Sequence, residues 1–78
     1  MDFKTRALCV SASDFGEGDK LLTLVGAEYG KMVAKARSVK TPKSKLRMCA
    51  EVFCYGEYII NRRGRANLVI GCSIEQSF

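Results

Sequence analysis

The sequence predicts a small all-β protein, a barrel of five strands. Most segments alternate apolar and polar side chains with a period of two, which is typical of β-strands. Short clusters rich in glycine separate these segments, as turns separate strands. The chain has 78 residues, of which 47% are hydrophobic, so we expect one domain with a modest core.

The first strand is predicted over residues 4–13, and alternation gives it two distinct faces. One face would carry Leu8, Val10 and Ala12. The other would carry Thr5, Ala7 and Cys9. Residues 14–19 predict a polar turn, because they contain two glycines and acids that can bond local amides.

Two further strands are expected on either side of a second break. Residues 20–25 form an apolar run, and residues 26–30 begin and end with glycine. Residues 31–37 alternate strictly, with one small apolar face made of Met32, Ala34 and Ala36. The opposite face is largely cationic and carries Lys31, Val33, Lys35 and Arg37. A strand that buries one face and presents cations on the other suits a nucleic-acid backbone.

The second half of the chain predicts a loop and a hairpin. Residues 38–46 lack periodicity, contain the only proline and predict a loop. Residues 49–61 predict a long fourth strand, in which Gly56 indicates a bulge or a bend. Residues 62–65 predict a tight turn, and residues 66–74 the fifth strand. One face of that strand would carry Leu68, Ile70, Cys72 and Ile74.

Five short strands favour a closed barrel over an open sheet. A single sheet of this size would leave edges and one apolar face exposed. The number of strands and the length fit an OB-fold, with an SH3-like barrel as the nearest alternative.

The positive charge is concentrated in one part of the chain. The net charge is +5, and residues 31–47 contain no acid. The cations of this basic segment are Lys31, Lys35, Arg37, Lys40, Lys43, Lys45 and Arg47. In the rest of the chain, eight acids outnumber six cations. This segregation favours a surface that binds phosphate, although a solvated basic loop is the alternative.

The basic segment suggests how phosphates would be held. Outward side chains on a strand are spaced about 7 Å apart, which resembles the spacing of phosphates in an extended single strand. Such binding should weaken with salt and depend little on base sequence. A second phosphate contact is expected at the turn, with a solvated hairpin tip as the alternative. Its cations are Arg62, Arg63 and Arg65.

Bases of a single strand can stack on exposed aromatic rings. Phe15 and Tyr29 are the stacking candidates, and Tyr55 is a weaker one that would fit the barrel or its rim. With no tryptophan in the chain, we expect electrostatic contacts to dominate.

Catalysis and metal binding find no support in the sequence. Histidine, the usual proton shuttle, is absent. The acids Asp14, Glu17 and Asp19 lack the spacing of a calcium loop, so capping of the turn explains them better. The four cysteines do not form C-x-x-C pairs, which argues against structural zinc. We therefore expect neither enzyme activity nor a cofactor.

The cysteines also bear on the compartment. No secretory signal pattern opens the chain, and Cys9 and Cys72 lie in apolar runs as small core residues would. These features predict a cytoplasmic protein with reduced thiols.

Several short motifs together resemble one protein family. They are Asp14-Phe15-Gly16-Glu17-Gly18-Asp19-Lys20, Tyr29-Gly30-Lys31, Ala34-Lys35-Ala36-Arg37, Lys43-Ser44-Lys45-Leu46-Arg47 and Phe53. In order and spacing they resemble the N-terminal domain of the bacterial recombination mediator RecO, and the resemblance covers nearly the whole chain.

The resemblance implies an OB-fold that works in recombinational DNA repair. Members of this family bind single- and double-stranded DNA, anneal strands coated by single-strand-binding protein and work with RecR. They also carry a second, mostly helical domain, so we expect residues 1–78 to be the N-terminal part of a longer protein, or else a stand-alone OB protein.

Two other functions fit the same residues. The barrel could dock an acidic protein partner on its basic segment, or it could bind RNA, since phosphate contacts do not distinguish RNA from DNA.

Overall fold

The computed structural model describes residues 2–37, 39 and 46–78. Its strands are β1 (Asp2–Phe15), β2 (Asp19–Gly26), β3 (Gly30–Ala36), β4 (Cys54–Arg63) and β5 (Ala66–Ser77). A short 3-10 helix, Arg47–Ala50, precedes β4. Within the described part of the chain, no helix is long and apolar enough to cross a membrane.

The five strands close into a barrel in the order β1-β2-β3-β5-β4. Neighbours pair antiparallel except β3 and β5, which run parallel and meet where Lys35 pairs with Leu68. Among the described residues, the ring is closed at this seam by a single pair of facing residues. The prediction of a small all-β, OB-like barrel is confirmed.

The barrel interior is filled by side chains from alternate strand positions. Its largest fully buried members are Tyr58, Leu22, Leu24, Ile60 and Val69. The alternation predicted for the third strand is confirmed, because Met32, Ala34 and Ala36 are all buried. Their small or flexible side chains leave room for the larger residues of β2 and β4.

The inward face of β1 changes along the strand. Thr5, Ala7 and Cys9 point inward, but the register with β2 shifts between Cys9 and Ser11. Beyond this bulge the inward positions are even-numbered, so Ala12 packs against the core. The expectation that Leu8, Val10 and Ala12 share one face is wrong, because the bulge reverses the alternation.

A bulge also corrects the face predicted for the fifth strand. Ile60 pairs with Val69 and Ile59 with Gly71, so Ile70 is the extra residue. Val69 is buried, whereas Ile70 is 44% exposed. After the bulge, Cys72 and Ile74 pack against the core as expected. Before the bulge the inward residue is Val69, so the expectation that Leu68, Ile70, Cys72 and Ile74 share one face is wrong for Leu68 and Ile70.

The fourth strand begins later than the predicted residue 49. The 3-10 helix buries Cys49 and Ala50, and the chain then turns through Phe53, whose φ of 62° is incompatible with a strand. The Phe53 amide donates to the Cys9 carbonyl oxygen at 2.6 Å, which fixes this turn against β1. An alternating apolar pattern alone does not reveal such a turn.

A bulge lies beside Gly56 as expected, but its extra residue, Glu75, belongs to β5 and not to β4. The β4–β5 register shifts between Tyr55 and Gly56, and a Cβ at this position would collide with the Ser73 carbonyl oxygen. Only glycine allows the two backbones to approach this closely.

The expectation of four reduced thiols is wrong for one pair. Cys49 and Cys72 form a disulfide with their Cα atoms 6.0 Å apart, which ties the 3-10 helix to β5. Cys9 and Cys54 are free and buried. Burial raises the pKa of the Cys9 thiol, which favours its neutral form.

Candidate nucleic-acid interface

The outer face of β3 carries the cationic row that its alternation predicts. Lys31 and Val33 are exposed, Lys35 is half-buried and Arg37 follows the strand as an exposed residue. Lys31 and Lys35 are four residues apart, which separates their Cα atoms by about 13 Å along the strand.

Lys35 connects this face to the turn between β1 and β2. Its Nζ lies 4.6 Å from the centre of the Phe15 ring, and the same atom lies 3.7 Å from Asp19 Oδ2. The ring face attracts the ammonium group, and the carboxylate offsets part of its charge. Partly exposed ion pairs of this kind are weak, so a phosphate can compete for Lys35.

The end of β3 and the β4–β5 hairpin together form a cavity of about 270 Å³. We call this cavity the basic groove. It is lined by Lys35, Arg37, Asn61, Arg63, Ala66, Asn67 and Leu68. None of these lining residues is acidic, although Asp19 contacts Lys35 and the Asn61 amide donates to the Asp2 carboxylate. Three cations and two amides give the groove the chemistry of an anion site.

The hairpin turn separates its neighbouring arginines. Gly64 and Arg65 form a two-residue turn in which Gly64 has a φ of 58°, as a hairpin of this length requires. Successive strand residues point to opposite faces. Arg63 therefore lines the basic groove, while the Arg62 guanidinium lies 5.2 Å from the centre of the Phe3 ring.

Two asparagines hold the groove in shape. Asn67 Nδ2 donates to the Val33 carbonyl oxygen at 3.3 Å, which joins the hairpin to β3. Arg62 Nε donates to Asn67 Oδ1 at 2.9 Å. On the other strand, Arg63 Nε donates to Asn61 Oδ1 at 3.3 Å and so turns the guanidinium toward the groove.

The two stacking candidates have different surroundings. Phe15 is 44% exposed and lies under Lys35, at the margin of the basic groove. Tyr29 is 47% exposed, and its ring centre lies 4.8 Å from that of Phe3. Tyr55 is half-buried and lines a separate cavity with Arg6 and Glu28. Phe15 is thus the candidate whose ring contacts a cation of the basic groove.

The remaining predicted cations are distributed more widely. Arg65 is exposed in the hairpin turn, and Arg47 begins the 3-10 helix. Arg47 lines a second cavity with Lys20, Val39, Ala50 and Glu51. The predicted site residues Lys40, Lys43 and Lys45 lie outside the described residues.

Sequence reasoning missed four polar residues of these cavities, namely Asn61 and Asn67 in the basic groove and Lys20 and Glu51 in the second cavity. Asn61 and Asn67 lie in apolar strands near the arginine turn, and Lys20 lies outside the basic segment. Asparagine is disfavoured in strands, so the two asparagines flanking the hairpin were the available signal. No sequence pattern indicated Lys20, because it lines a cavity with Arg47 only when the barrel is closed.

The arrangement suits binding by charge and hydrogen bonds. Across residues 2–37, 39 and 46–78, no three His, Cys, Asp or Glu side chains are placed to hold a metal ion. The hydroxyl of Tyr58, a fully buried residue, donates to the Cys54 carbonyl oxygen at 3.4 Å, and burial raises the pKa of this tyrosine. That tyrosine belongs to the barrel interior.

Comparisons with known proteins identify the family. The family model described as "Recombination protein O N terminal" matches residues 1–78. A protein named "DNA repair protein RecO" from Desulfitobacterium hafniense is 40% identical over 72 residues, covering 92% of this chain and 26% of the relative. The protein of that name from Dehalococcoides mccartyi is 40% identical over 77 residues, covering 99% of this chain and 30% of the relative.

A third relative of the same name, from Clostridium novyi, is 42% identical over 60 residues, covering 77% of this chain and 23% of the relative. The chain spans about a quarter to a third of the length of these relatives. The relatives are named as DNA repair proteins, and the family model is that of a recombination protein. The chain therefore belongs to the family of RecO N-terminal domains.

Proposed function

We propose that this domain binds DNA during recombinational repair by contacting phosphates in the basic groove. The observation that carries the proposal is the convergence of Lys35 and Arg37 with Arg63 in one cavity whose lining contains no acid. The family supports DNA as the polyanion, because its relatives are named as DNA repair proteins.

The groove contacts the DNA backbone through charge-assisted hydrogen bonds. Arg37 and Arg63 each offer a planar guanidinium, which can hold two phosphate oxygens at once. Lys35 exchanges its contact with Asp19 for a phosphate, and this exchange also uncovers one face of the Phe15 ring. In a single strand, a base can then stack on Phe15.

The location of the groove agrees with ligand binding in OB-folds. These barrels bind oligonucleotides on the face of their second and third strands and on the turns that join strands one to two and four to five. Here those turns comprise residues 16–18 and 64–65. Lys35 contacts Phe15, which precedes the first turn, and shares the groove with Arg63 and Ala66, which flank the second.

The wider role follows from the family and from the chemistry of the groove. Phosphate contacts bind single and double strands alike, so the domain supports strand annealing and recombinase loading within a longer protein. RecR and single-strand-binding protein are its proposed protein partners, and the cytoplasm its compartment. The domain acts by binding and performs no catalytic step.

The test is the affinity of the domain for a fluorescent single-stranded oligonucleotide, measured by anisotropy at moderate salt. We expect the double variant Lys35→Gln/Arg37→Gln to weaken binding of every base sequence and to lower the salt slope by about 0.7 per lost contact. Lys4→Gln, an exposed cation of β1, is the matched control and should bind like wild type.

Unchanged affinity of the double variant would rule out this groove as the DNA site. No binding of any DNA by the wild-type domain, together with binding to an acidic protein, would instead establish a protein-docking barrel. Tighter binding of RNA than of DNA of equal length would favour the RNA alternative.

A further inference from the structure

A second cavity lies at the end of the barrel beside the basic groove. It measures about 310 Å³ and is lined by Lys20, Val39, Arg47, Ala50 and Glu51. We call it the rim cavity. It combines two cations that lie far apart in the sequence, and one of them, Lys20, is outside the basic segment.

The fold explains how Lys20 comes to face this cavity. Lys20 belongs to the inward set of β2, above Leu22 and Leu24, but it lies where the barrel interior ends. The 3-10 helix closes this end by burying Cys49 and Ala50, and Arg47 is exposed at its first position. The two cations therefore meet at the rim, where water and a ligand can reach them.

The rim cavity and the basic groove are neighbours. Lys20 pairs with Ala36, which lies between the groove residues Lys35 and Arg37. Val39, which lines the rim cavity, is two residues beyond Arg37, so their Cα atoms are at most about 7 Å apart. An extended strand that leaves the groove at Arg37 reaches the rim within one or two phosphates.

We propose that the rim cavity is a second phosphate subsite, in which Lys20 and Arg47 hold the DNA strand that continues from the groove. This subsite rests on the proposed function, because it binds the same strand. Glu51 lowers the affinity of this subsite for phosphate, since a carboxylate on the cavity wall repels an anion there.

The experiment compares two single-stranded oligonucleotides, of about 4 and about 16 nucleotides, which are the limits of the site sizes of OB-folds. The shorter one fills the groove, and the longer one also reaches the rim. We expect Lys20→Gln to leave the affinity for the short oligonucleotide within twofold. We expect the same variant to lower the affinity for the long oligonucleotide roughly fivefold, with a salt slope smaller by about 0.7.

Three further variants make the result specific. Arg47→Gln repeats the test from an exposed helix position and should give the same pattern. Glu51→Gln should tighten binding of the long oligonucleotide only. Lys4→Gln, the matched control, should change neither affinity, and the Tm of each variant shows that it folds.

The outcomes separate the subsite from the groove. If the wild-type domain binds neither oligonucleotide, the proposed function fails. The rim subsite is wrong if Lys20→Gln and Arg47→Gln bind the long oligonucleotide like wild type, or if they lower the affinity for both oligonucleotides equally. In either case the proposed DNA site in the groove is retained. A rise in Tm with inorganic pyrophosphate that Lys20→Gln abolishes, without any dependence on DNA length, would assign the cavity to a free phosphate and overturn the proposal.

Discussion

At the residue scale, the direction of each side chain decides what it can bind. Arg62 and Arg63 are adjacent in sequence, yet one lies against Phe3 and the other lines the basic groove. The same alternation places Lys35 in the groove and buries Ala34 and Ala36 on either side of it. The composition gives the number of cations, but the alternation of side chains along each strand determines which of them line the basic groove.

The Phe15 ring gives a prediction at this scale. Phe15→Leu should weaken single-strand binding by about 1–3 kcal/mol, because base stacking on the ring is lost. Binding to duplex DNA should change less, since paired bases are not available to stack. Anisotropy with both forms of DNA measures the difference.

The matched comparison is Tyr29→Leu, whose ring already lies against Phe3. We expect this variant to weaken single-strand binding less than Phe15→Leu does. Equal losses for the two variants would show that Phe15 has no particular role as a stacking platform.

At the element scale, bulges determine which face of a strand enters the core. The succession of five strands along the chain and the alternation of β3 could be predicted, because period-two patterning and glycine-rich turns are local signals. Gly56 indicated the bulge beside it, because only glycine allows the backbones of β4 and β5 to approach so closely. No glycine lies beside the bulge at Val10, and Gly71, which follows the bulge at Ile70, was not used as a signal, so the predicted faces of β1 and β5 were wrong there.

The prediction at the scale of elements concerns Gly56. Gly56→Ala should lower the free energy of unfolding by about 1–3 kcal/mol, because the new methyl group collides with the Ser73 carbonyl oxygen. Chemical denaturation measures the change. Gly18→Ala is the control, since a Cβ there meets no atom within 4 Å. Equal stability of the two variants would contradict the close backbone approach seen at Gly56.

At the scale of the whole molecule, barrel closure assembles the candidate site. The parallel pairing of β3 with β5 brings the hairpin beside the end of β3, although about 30 residues separate them in the chain (Lys35 pairs with Leu68). The row on β3 was predictable from local alternation. The sequence could not predict that this row shares a cavity with Arg63, or that Lys20 and Arg47 line one cavity. Both arrangements depend on contacts between distant segments.

The central claim is that strand and hairpin cations contact DNA phosphates in one groove, and the salt dependence of binding tests it most directly. The logarithm of the single-strand binding constant is measured against the logarithm of salt concentration for wild type, Arg63→Gln and Arg65→Gln. Arg63→Gln should reduce the slope by about 0.7, because one phosphate contact is lost, and Arg65→Gln should leave it unchanged. Equal slopes for the two variants would contradict the groove.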